Sequence, residues 1–274
     1  MPELPEVETI TNALKKSLVS KKITNLEIFS PKMREPLTPL ADADIVGRSI
    51  IDVRRRGRYT IIELDNLGAI IMHYGMSGVV RIEGAEIPKR KHEHLFFHLD
   101  DGKILKFECT RRFSLVKYCR LEQSGATPTE LAFLGAEPLN DDFNGEYLYA
   151  KSRKTSGNVK NFIMNNEVVV GVGNIYVAES FFSAGVSPLR QAKSLSLSEC
   201  DKIVESIKVI LKKAIAAGGS TISDYRHVDG SEGKFARELQ MYGRAGEKCV
   251  KCGAVIASCR IGGRSTFYCT ECQK

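Results

Sequence analysis

The sequence contains no apolar run long enough to cross a membrane, since a transmembrane helix needs about 20 such residues. Its first residues, Met-Pro-Glu-Leu-Pro-Glu, also lack the basic stretch and apolar core of a secretory signal. The chain shows neither an internal repeat nor a low-complexity tract. We therefore expect a cytoplasmic protein that does not interact with a membrane.

Four of the eight cysteines show no regular spacing and are scattered along the chain: Cys109, Cys119, Cys200 and Cys259. Such cysteines are typical of reduced thiols in a reducing compartment. We expect them to be small hydrophobic residues, buried or partly exposed.

Length and composition predict a globular protein with more than one domain. The chain has 274 residues and 43% hydrophobic content, which suffices for two domains and a small appendage. Its net charge of +7 arises from 40 Lys and Arg against 33 Asp and Glu. This excess favours a polyanionic partner.

A helix followed by short strands is predicted for the first half of the chain. Apolar residues recur every three or four positions at Val7, Ile10, Leu14 and Leu18. Pro5 suits the first turn of this helix, and residues 1–4 should project from its start. Strand-like runs follow at 23–29, 50–64, 69–74, 78–83, 94–99, 103–108 and 114–119. Asp101-Gly102 indicates a hairpin, so we expect an antiparallel sandwich or barrel up to about residue 135.

Helical periodicity replaces the strand pattern from about residue 145. It is clearest in 195–217, where one face is formed by Leu197, Cys200, Ile203, Ile207, Ile210 and Leu211. These residues predict a second, α-rich domain. The segment 218–234 is rich in Gly, Ser and Asp, and it fits either a plain linker or a loop that covers a substrate.

Four cysteines near the end have the spacing of a zinc site: Cys249, Cys252, Cys269 and Cys272. Two pairs of the form Cys-x2-Cys can present four thiolates to one tetrahedral ion, whereas disulfides would need an oxidising compartment. No further ligand or general base accompanies them, so the predicted zinc is structural. Between the pairs, Arg264 at a hairpin tip can contact a phosphate above Phe267, or can simply be solvated.

A glycine turn, Gly171-Val172-Gly173-Asn174, precedes a predicted helix. A dinucleotide-binding fingerprint would need a third glycine where Tyr176 stands, and alternating strand and helix units are missing around it. A helix–two-turn–helix remains, in which backbone N–H groups can approach a phosphate. Asn174 can donate to that phosphate or act as an ordinary helix cap.

Basic clusters at 54–58, 89–94 and 111–113 lie at predicted strand starts or turns. Each alone is usually a solvated surface. Together with Met76 they suggest cations for phosphates, with Met76, Arg111 and Phe113 as wedges that fill the space left by a base removed from the stack.

Pro2 presents a secondary amine if Met1 is removed. An α-amino group with a pKa of about 8 is appreciably nucleophilic at neutral pH. Attack of a secondary amine on a sugar C1′ gives an iminium, which acts as an electron sink for elimination.

With these motifs, the sequence closely resembles the bacterial formamidopyrimidine-DNA glycosylase family, which excises oxidised purines. The matching segments are MPELPEVET (1–9), HYGMSG (73–78), KHEH (91–94), RRF (111–113), EPLNDDFNGEY (137–147), VVGVGNIYVAESFFSAGVSP (169–188), FARELQMYGRAGEKC (235–249) and STFYCTECQK (265–274). They span nearly the whole chain in order.

The resemblance implies a bifunctional glycosylase and abasic-site lyase that needs no organic cofactor. Pro2 would be the nucleophile and Glu3 the acid/base, supported by Glu6 and Glu179. Those two could equally be a helix-stabilising residue and a solvated helix residue, respectively. Wedge roles fall on Met76, Arg111 and Phe113. Phosphates would be held by His92, Arg112, Asn174 and Arg264, and the 218–234 loop would cover the everted base.

Three positions depart from the family pattern. The family places a lysine where Arg58 stands, so Arg58 is assigned to the catalytic set with a different reach. Cys109-Thr110 replaces the usual Asp-Pro before Arg111. The basic cluster before the first helix of the phosphate-binding pair is thinned, which leaves Lys160 as its DNA-binding member.

The sequence thus predicts an α+β protein, with an N-terminal antiparallel β-sandwich and a C-terminal helical domain that carries a helix–two-turn–helix and a four-cysteine zinc finger. The expected domains are 1–135, 136–240 and 241–274. We expect a monomer that binds damaged double-stranded DNA and one Zn²⁺. The alternatives are an endonuclease VIII-like glycosylase for oxidised pyrimidines and a catalytically weak damaged-DNA-binding protein.

Overall fold

The computed structural model describes residues 1–221, 228 and 230–274. The chain forms two compact units. Unit 1 consists of Met1–Ala132 and Gly218–Lys234, and unit 2 of Phe133–Ala217 and Phe235–Lys274. The three domain ranges drawn from the sequence stay a prediction.

Unit 1 opens with helix α1, Leu4–Leu18, whose apolar face is buried as predicted. The helix starts one residue earlier than the prediction that residues 1–4 project from it. Leu4 is the first helical residue, because Glu3 is the N-cap residue and Pro5 fits the first turn. The Leu4 side chain is fully buried. Only residues 1–3 therefore precede the helix. A second, short helix, α2, spans Thr38–Ala41.

Among the described residues of unit 1, eight strands form two four-stranded antiparallel sheets, which confirms the predicted sandwich. The strands are β1 Ile23–Ile28, β2 Ile50–Arg56, β3 Tyr59–Leu64, β4 Gly68–His73, β5 Gly78–Gly84, β6 Glu93–Leu99, β7 Lys103–Cys109 and β8 Leu115–Arg120. One sheet has the order β1-β6-β7-β5, and the other β2-β3-β4-β8. Gly102, at φ +81°, closes the predicted β6–β7 hairpin.

The predicted single strand over 50–64 is wrong. Gly57 adopts φ +56°, and the chain reverses at Gly57-Arg58 so that β2 pairs with β3 in a hairpin. Glycine accepts this left-handed conformation without the steric cost that a side chain would add. Arg58 consequently lies in a turn between two strands.

The core of unit 1 joins the buried face of α1 to residues of both sheets. Fully buried members include Leu14 of α1, Ile62 of β3 and Phe107 of β7. Burial of such a side chain contributes about 1.5–3 kcal/mol. The helix that follows Pro2 is therefore fixed firmly to the sandwich.

Unit 2 contains four helices and a hairpin. The helices are α3 Gly145–Ser152, α4 Val159–Ile163, α5 Asn174–Ala184 and α6 Leu197–Ala216, and the hairpin strands are β9 Ala257–Ile261 and β10 Arg264–Tyr268. The α4-turn-α5 pair forms the predicted helix–two-turn–helix. No helix in the described ranges is long and apolar enough to cross a membrane.

Helix α6 matches the predicted periodicity except at two positions. Leu197 is 43% exposed and Ile210 is only half-buried, whereas Val204 and Ala214 complete the buried face. Leu197 directly follows Ser196, which caps the helix by accepting the Glu199 N–H at 3.2 Å. The cap places Leu197 in the first turn, at the solvent-exposed end of the helix.

Candidate functional site

Pro2 and Glu3 are buried at the start of α1, where Glu3 is also held by hydrogen bonds. Glu3 and Glu6 form a capping box, in which the Glu3 N–H donates to Glu6 Oε2 at 2.8 Å. Glu3 and Glu6 are 5% and 2% exposed, and Pro2 is also buried. A capping box satisfies donors that a helix start leaves open. It here fixes the backbone of the residue that follows Pro2.

Glu6 also ties α1 to the beginning of the 218–234 segment. Its Oε1 accepts the backbone N–H of Ser220 at 2.7 Å. A Cβ on Gly219, which has φ +80°, would lie 2.8 Å from the same oxygen, so only glycine allows this approach. The Glu6 carboxylate thus bridges residues 3 and 220.

The predicted linker or lid at 218–234 is anchored at its two ends. Ser220 and Lys234 form an antiparallel bridge, and the Gly233 N–H donates to Thr221 Oγ1 at 2.9 Å. Residues 222–227 and 229, on which the choice between linker and lid depends, lie outside the described residues.

The three predicted wedge residues lie on two neighbouring loops of unit 1. Met76 is in the β4–β5 turn and is 42% exposed, and Phe113 is in the β7–β8 loop and is 58% exposed. The loops touch, because a Cβ on Gly75 would lie 2.7 Å from the Phe113 carbonyl oxygen. The Arg111 N–H donates to Ser77 Oγ at 3.1 Å. Exposed apolar side chains and an arginine therefore share one edge of the sandwich.

Arg112 has φ +56°, a left-handed conformation that is uncommon for a residue with a side chain. Such strain persists only where the surrounding structure imposes it, and it is frequent at functional sites. His92 lies beside this loop, since its carbonyl accepts the Cys109 N–H at 2.9 Å. The structure thus brings His92, Arg111 and Arg112 to the same region.

The basic clusters divide into internal and site-facing members. Arg54 pairs with Glu63, Arg55 with Glu8, and Arg90 with Glu83 and Glu93. Each of these three arginines is therefore engaged in an ion pair within unit 1. The Glu8 partner of Arg55 lies on α1, 47 residues earlier in the chain, whereas the partners of Arg54 and Arg90 lie close to them in the sequence.

His73 is a site residue that the sequence reasoning did not single out, although it begins the segment HYGMSG. Burial, followed by the charges of Arg58 and Arg34, lowers the pKa of His73 to about 4. The ring is therefore neutral near pH 7, and its Nδ1 can accept the Gly75 N–H at 3.2 Å. Arg58 and Arg34 thus place positive charge near the neutral His73 ring, which lies at the base of the Met76 turn.

In unit 2, hydrogen bonds to Ser265 and Thr266 connect the helix–two-turn–helix to the hairpin. The Ser265 carbonyl oxygen accepts from Asn174 Nδ2 and from Lys160 Nζ, each at 3.0 Å. Lys160 Nζ also donates to Thr266 Oγ1 at 2.7 Å, and Lys160 is 1% exposed. Its ammonium group is thus used inside the unit, so we assign Lys160 to positioning the hairpin.

Asn174 is the first residue of α5, and Gly173 rather than Asn174 is the N-cap. The alternative that Asn174 is an ordinary cap is therefore wrong, because its side chain reaches across to the hairpin. Arg264, the first residue of β10, is exposed beside this junction. Phe267 packs edge-on against Tyr242, with ring centroids 5.4 Å apart.

The Glu179 carboxylate is buried, which excludes the alternative of a solvated helix residue. It accepts three backbone N–H groups, from Gln240 at 3.0 Å, Met241 at 2.9 Å and Tyr242 at 2.8 Å. Glu179 therefore anchors the segment that leads from the Phe235–Glu238 turn to the first cysteine pair.

The four predicted zinc ligands converge. The sulfurs of Cys249, Cys252, Cys269 and Cys272 all lie within 4.8 Å of one another. The Cys249–Cys272 and Cys252–Cys269 sulfur distances are 3.9 and 3.4 Å. Tetrahedral Zn²⁺ with Zn–S bonds of about 2.3 Å separates its sulfurs by about 3.8 Å, so the four thiolates fit it.

The remaining cysteines are unpaired as predicted. Cys109, Cys119 and Cys200 are buried thiols, and Cys259 is partly buried. Burial raises the pKa of Cys119 to about 12 and that of Cys200 to about 11, so both stay protonated.

These elements define a class: helix–two-turn–helix proteins that combine an N-terminal β-sandwich with a four-cysteine zinc finger. Residues 1–116 match the formamidopyrimidine-DNA glycosylase N-terminal domain, residues 134–226 its H2TH domain, and residues 246–274 the zinc finger found in FPG and IleRS. The chain therefore belongs to the formamidopyrimidine-DNA glycosylase family, and its finger holds one structural zinc.

Relatives and solved structures agree over the whole length. The chain is 43% identical to the formamidopyrimidine-DNA glycosylases of Alcanivorax borkumensis and Escherichia coli, with complete coverage of each chain. It is similar to wild-type Lactococcus lactis Fpg (MutM) in a complex with N7-benzyl-Fapy-dG DNA, with a TM-score of 0.88, 33% identity and complete coverage. For the Lactococcus lactis Fpg complex with abasic-site DNA, the TM-score is 0.87 at 33% identity and 99% coverage of both chains.

Proposed function

We propose that this chain is a bifunctional DNA glycosylase and abasic-site lyase that excises oxidised purines from double-stranded DNA in base excision repair. The observation that carries the proposal is the buried start of α1, where Pro2 directly precedes a capping box that Glu6 extends to Ser220. Its relatives carry the name of that activity, and the solved neighbours hold Fapy-dG or abasic-site DNA.

Pro2 is the nucleophile in this proposal once Met1 has been removed. Its nitrogen attacks the sugar C1′ as the glycosidic bond breaks, and the proton released from the Pro2 nitrogen leaves with the base. Glu3 protonates the ring oxygen, so the opened sugar is held as an iminium. Because a secondary amine has no second proton to lose, the iminium stays cationic and draws electrons toward it.

The iminium then drives two eliminations. Loss of a C2′ proton breaks the C3′–O bond to the 3′ phosphate, and loss of a C4′ proton then breaks the C5′–O bond to the 5′ phosphate. Hydrolysis frees Pro2 and leaves a one-nucleotide gap. Glu6 does not need to touch the sugar for this sequence, because it fixes the backbone at Glu3 and thereby the position of Pro2.

DNA binding is assigned to residues of both units. Met76, Arg111 and Phe113 fill the space left by the everted base. Phosphates are contacted by His92, Arg112, Asn174 and Arg264. Arg58 supplies the positive charge that the family usually takes from lysine, in the turn beside His73. The zinc finger, Lys160 and Glu179 hold the hairpin that carries Arg264.

Duplex cleavage tests this function. Duplexes with a single 8-oxoguanine, a single oxidised pyrimidine or an abasic site are incubated with the zinc-loaded protein. We expect cleavage of the damaged strand at 8-oxoguanine, which leaves a gap with a phosphate at each end. Preferential cleavage at the pyrimidine would overturn the purine assignment. A protein that binds all three duplexes and cleaves none would be a damaged-DNA-binding protein.

The cytoplasmic location and monomeric state are part of the same proposal. Four cysteines outside the zinc site form no disulfide, and the other four are zinc ligands, which supports a reducing compartment. Cell fractionation and sedimentation of the zinc-loaded chain test the two statements.

A further inference from the structure

Six buried side chains of unit 1 form a polar path through the interior of the sandwich. They come from α1, β3, the end of β4, the β4–β5 turn, the end of β7 and the β7–β8 loop. Each of them is at most 9% exposed. The six residues are Thr11, Thr60, Tyr74, Ser77, Cys109 and Ser114. Buried polar groups cost stability unless they are hydrogen-bonded, so a connected path of this length requires an explanation.

The first half of the path connects α1 to the end of β4. Thr11 Oγ1 and Thr60 Oγ1 are 2.7 Å apart, and Tyr74 OH donates to Thr60 Oγ1 at 2.8 Å. Tyr74 is 1% exposed, and its ring stacks on Phe107 with centroids 6.2 Å apart. Burial raises the pKa of Tyr74 well above its ordinary value, so its hydroxyl remains a donor.

The second half connects Tyr74 to both loops that carry wedge residues. Ser114 Oγ donates to the Tyr74 carbonyl at 2.7 Å and lies 3.0 Å from Cys109 Sγ. Ser77 Oγ lies 3.9 Å from the same sulfur and accepts the Arg111 N–H at 3.1 Å. The Tyr74 carbonyl also accepts the Gly78 N–H at 2.7 Å, which closes the Met76 turn.

Cys109 is one of the positions at which this chain departs from its family. The thiol occupies the centre of the second half and contacts serines from both loops. A sulfur is a weak hydrogen-bonding group, so these contacts fix geometry more through close packing than through their strength.

Tyr74 is the residue where the two halves meet. Its hydroxyl faces the path to α1, and its carbonyl anchors the two loops. Any displacement of Tyr74 therefore changes the position of Met76, Arg111 and Phe113 relative to the helix that follows Pro2.

We propose that this buried path, centred on Tyr74, positions the two void-filling loops relative to the helix that carries the nucleophile. Tyr74, Thr60 and Ser114 are positioning residues for base eversion. The inference rests on the proposed function, since it assigns the loops to filling the space of an everted base.

The inference predicts a split between two substrates. A damaged base must be everted before Pro2 can reach the sugar, whereas an abasic site has no base to evert. If the two loops are displaced from their position, excision of 8-oxoguanine should slow, whereas the reaction at an abasic site should not. A merely structural role would lower both rates together.

The experiment compares Tyr74→Phe and Ser114→Ala with the control Tyr118→Phe. Tyr118 lies on β8 in the same unit, and its hydroxyl is buried without a hydrogen-bond partner among the described residues. Single-turnover excision of 8-oxoguanine is measured beside borohydride trapping on an abasic duplex. Fluorescence of 2-aminopurine next to the lesion reports eversion.

We expect the two path variants to lose about tenfold in excision and in the eversion phase, because small misplacements of groups on the reaction path cost this much or more. Trapping on abasic DNA should stay within about twofold of the wild type, since its chemistry is intact. The control variant should match the wild type in all three measurements.

Equal losses on both substrates, or no loss on either, would overturn the positioning role. If Tyr74→Phe does not fold, Thr60→Val tests the same connection from the other side of the hydrogen bond. The proposed function is tested separately, by the wild type alone: cleavage of abasic DNA without cleavage at 8-oxoguanine would overturn it. The positioning role is tested by the ratio of each variant's rate to that of the wild type.

Discussion

Replacement of Glu179 by glutamine should destabilise unit 2 through the segment it anchors. Its carboxylate accepts three backbone N–H groups at 2.8–3.0 Å and is 4% exposed. In Glu179→Gln the amide oxygen can replace one carboxylate oxygen, but the NH₂ group then faces a donor. At least one of the three backbone N–H groups loses its partner, and the remaining bonds lose their charge.

The expected cost follows from those contacts. A buried donor without a partner costs about 1–3 kcal/mol, and a hydrogen bond to a charged group is worth about 1.5–3 kcal/mol. We expect Glu179→Gln to lower the free energy of unfolding by about 3 kcal/mol and Glu179→Ala by about 5 kcal/mol. The second value approaches the whole stability of a marginal domain.

Urea unfolding followed by circular dichroism measures the loss, and a chromogenic chelator reports zinc release. Zinc should leave Glu179→Gln at lower urea than the wild type, because residues 240–242 lead into the first cysteine pair. Glu205→Gln, an exposed change on α6, is the control. A Glu179→Gln variant within about 0.5 kcal/mol of the wild type, the range of surface substitutions, would refute the anchoring role.

Three further predictions concern pH, zinc and salt. The pKa of His73 is about 4 in the folded chain and about 6.5 in the unfolded chain. Up to about 3 kcal/mol of stability should therefore be lost as the pH falls from 6.5 to 4. In an acid titration, the stability of His73→Asn should depend less on pH over this range. Chelation of zinc, or Cys269→Ser, should unfold β9–β10 and abolish DNA binding in anisotropy, whereas retained binding would contradict the finger's role. The DNA affinity should fall steeply with salt and Arg264→Ala should reduce that slope by about 1; an unchanged slope would remove Arg264 from the phosphate contacts.

Much of the fold was predictable because its signals are local. The 3.6-residue period of α1, the short β-branched runs and the Asp101-Gly102 turn are visible in a few adjacent residues. The two Cys-x2-Cys pairs specify zinc by their spacing alone. The break at Gly57 is not evident from the sequence, since a single glycine inside a strand-like run is also compatible with a continuous strand.

Much of the site could not be predicted, because its contacts join residues far apart in the chain. Arg55 belongs to a run of arginines that resembles a phosphate-binding surface, and only the folded unit shows that Glu8, 47 residues earlier, pairs with it. Lys160 looks like an exposed lysine until Ser265, 105 residues later, is placed beside it. The roles of Tyr74 and Ser114 likewise exist only in three dimensions.

The central claim is that the amine of Pro2 attacks the sugar, and peptide mapping of a trapped adduct tests it most directly. The wild-type protein, with Met1 removal verified by mass spectrometry, is incubated with an abasic-site duplex and borohydride. We predict one covalent protein–DNA adduct whose peptide begins at Pro2. An adduct at a lysine side chain, or no adduct while the duplex is bound, would contradict the account.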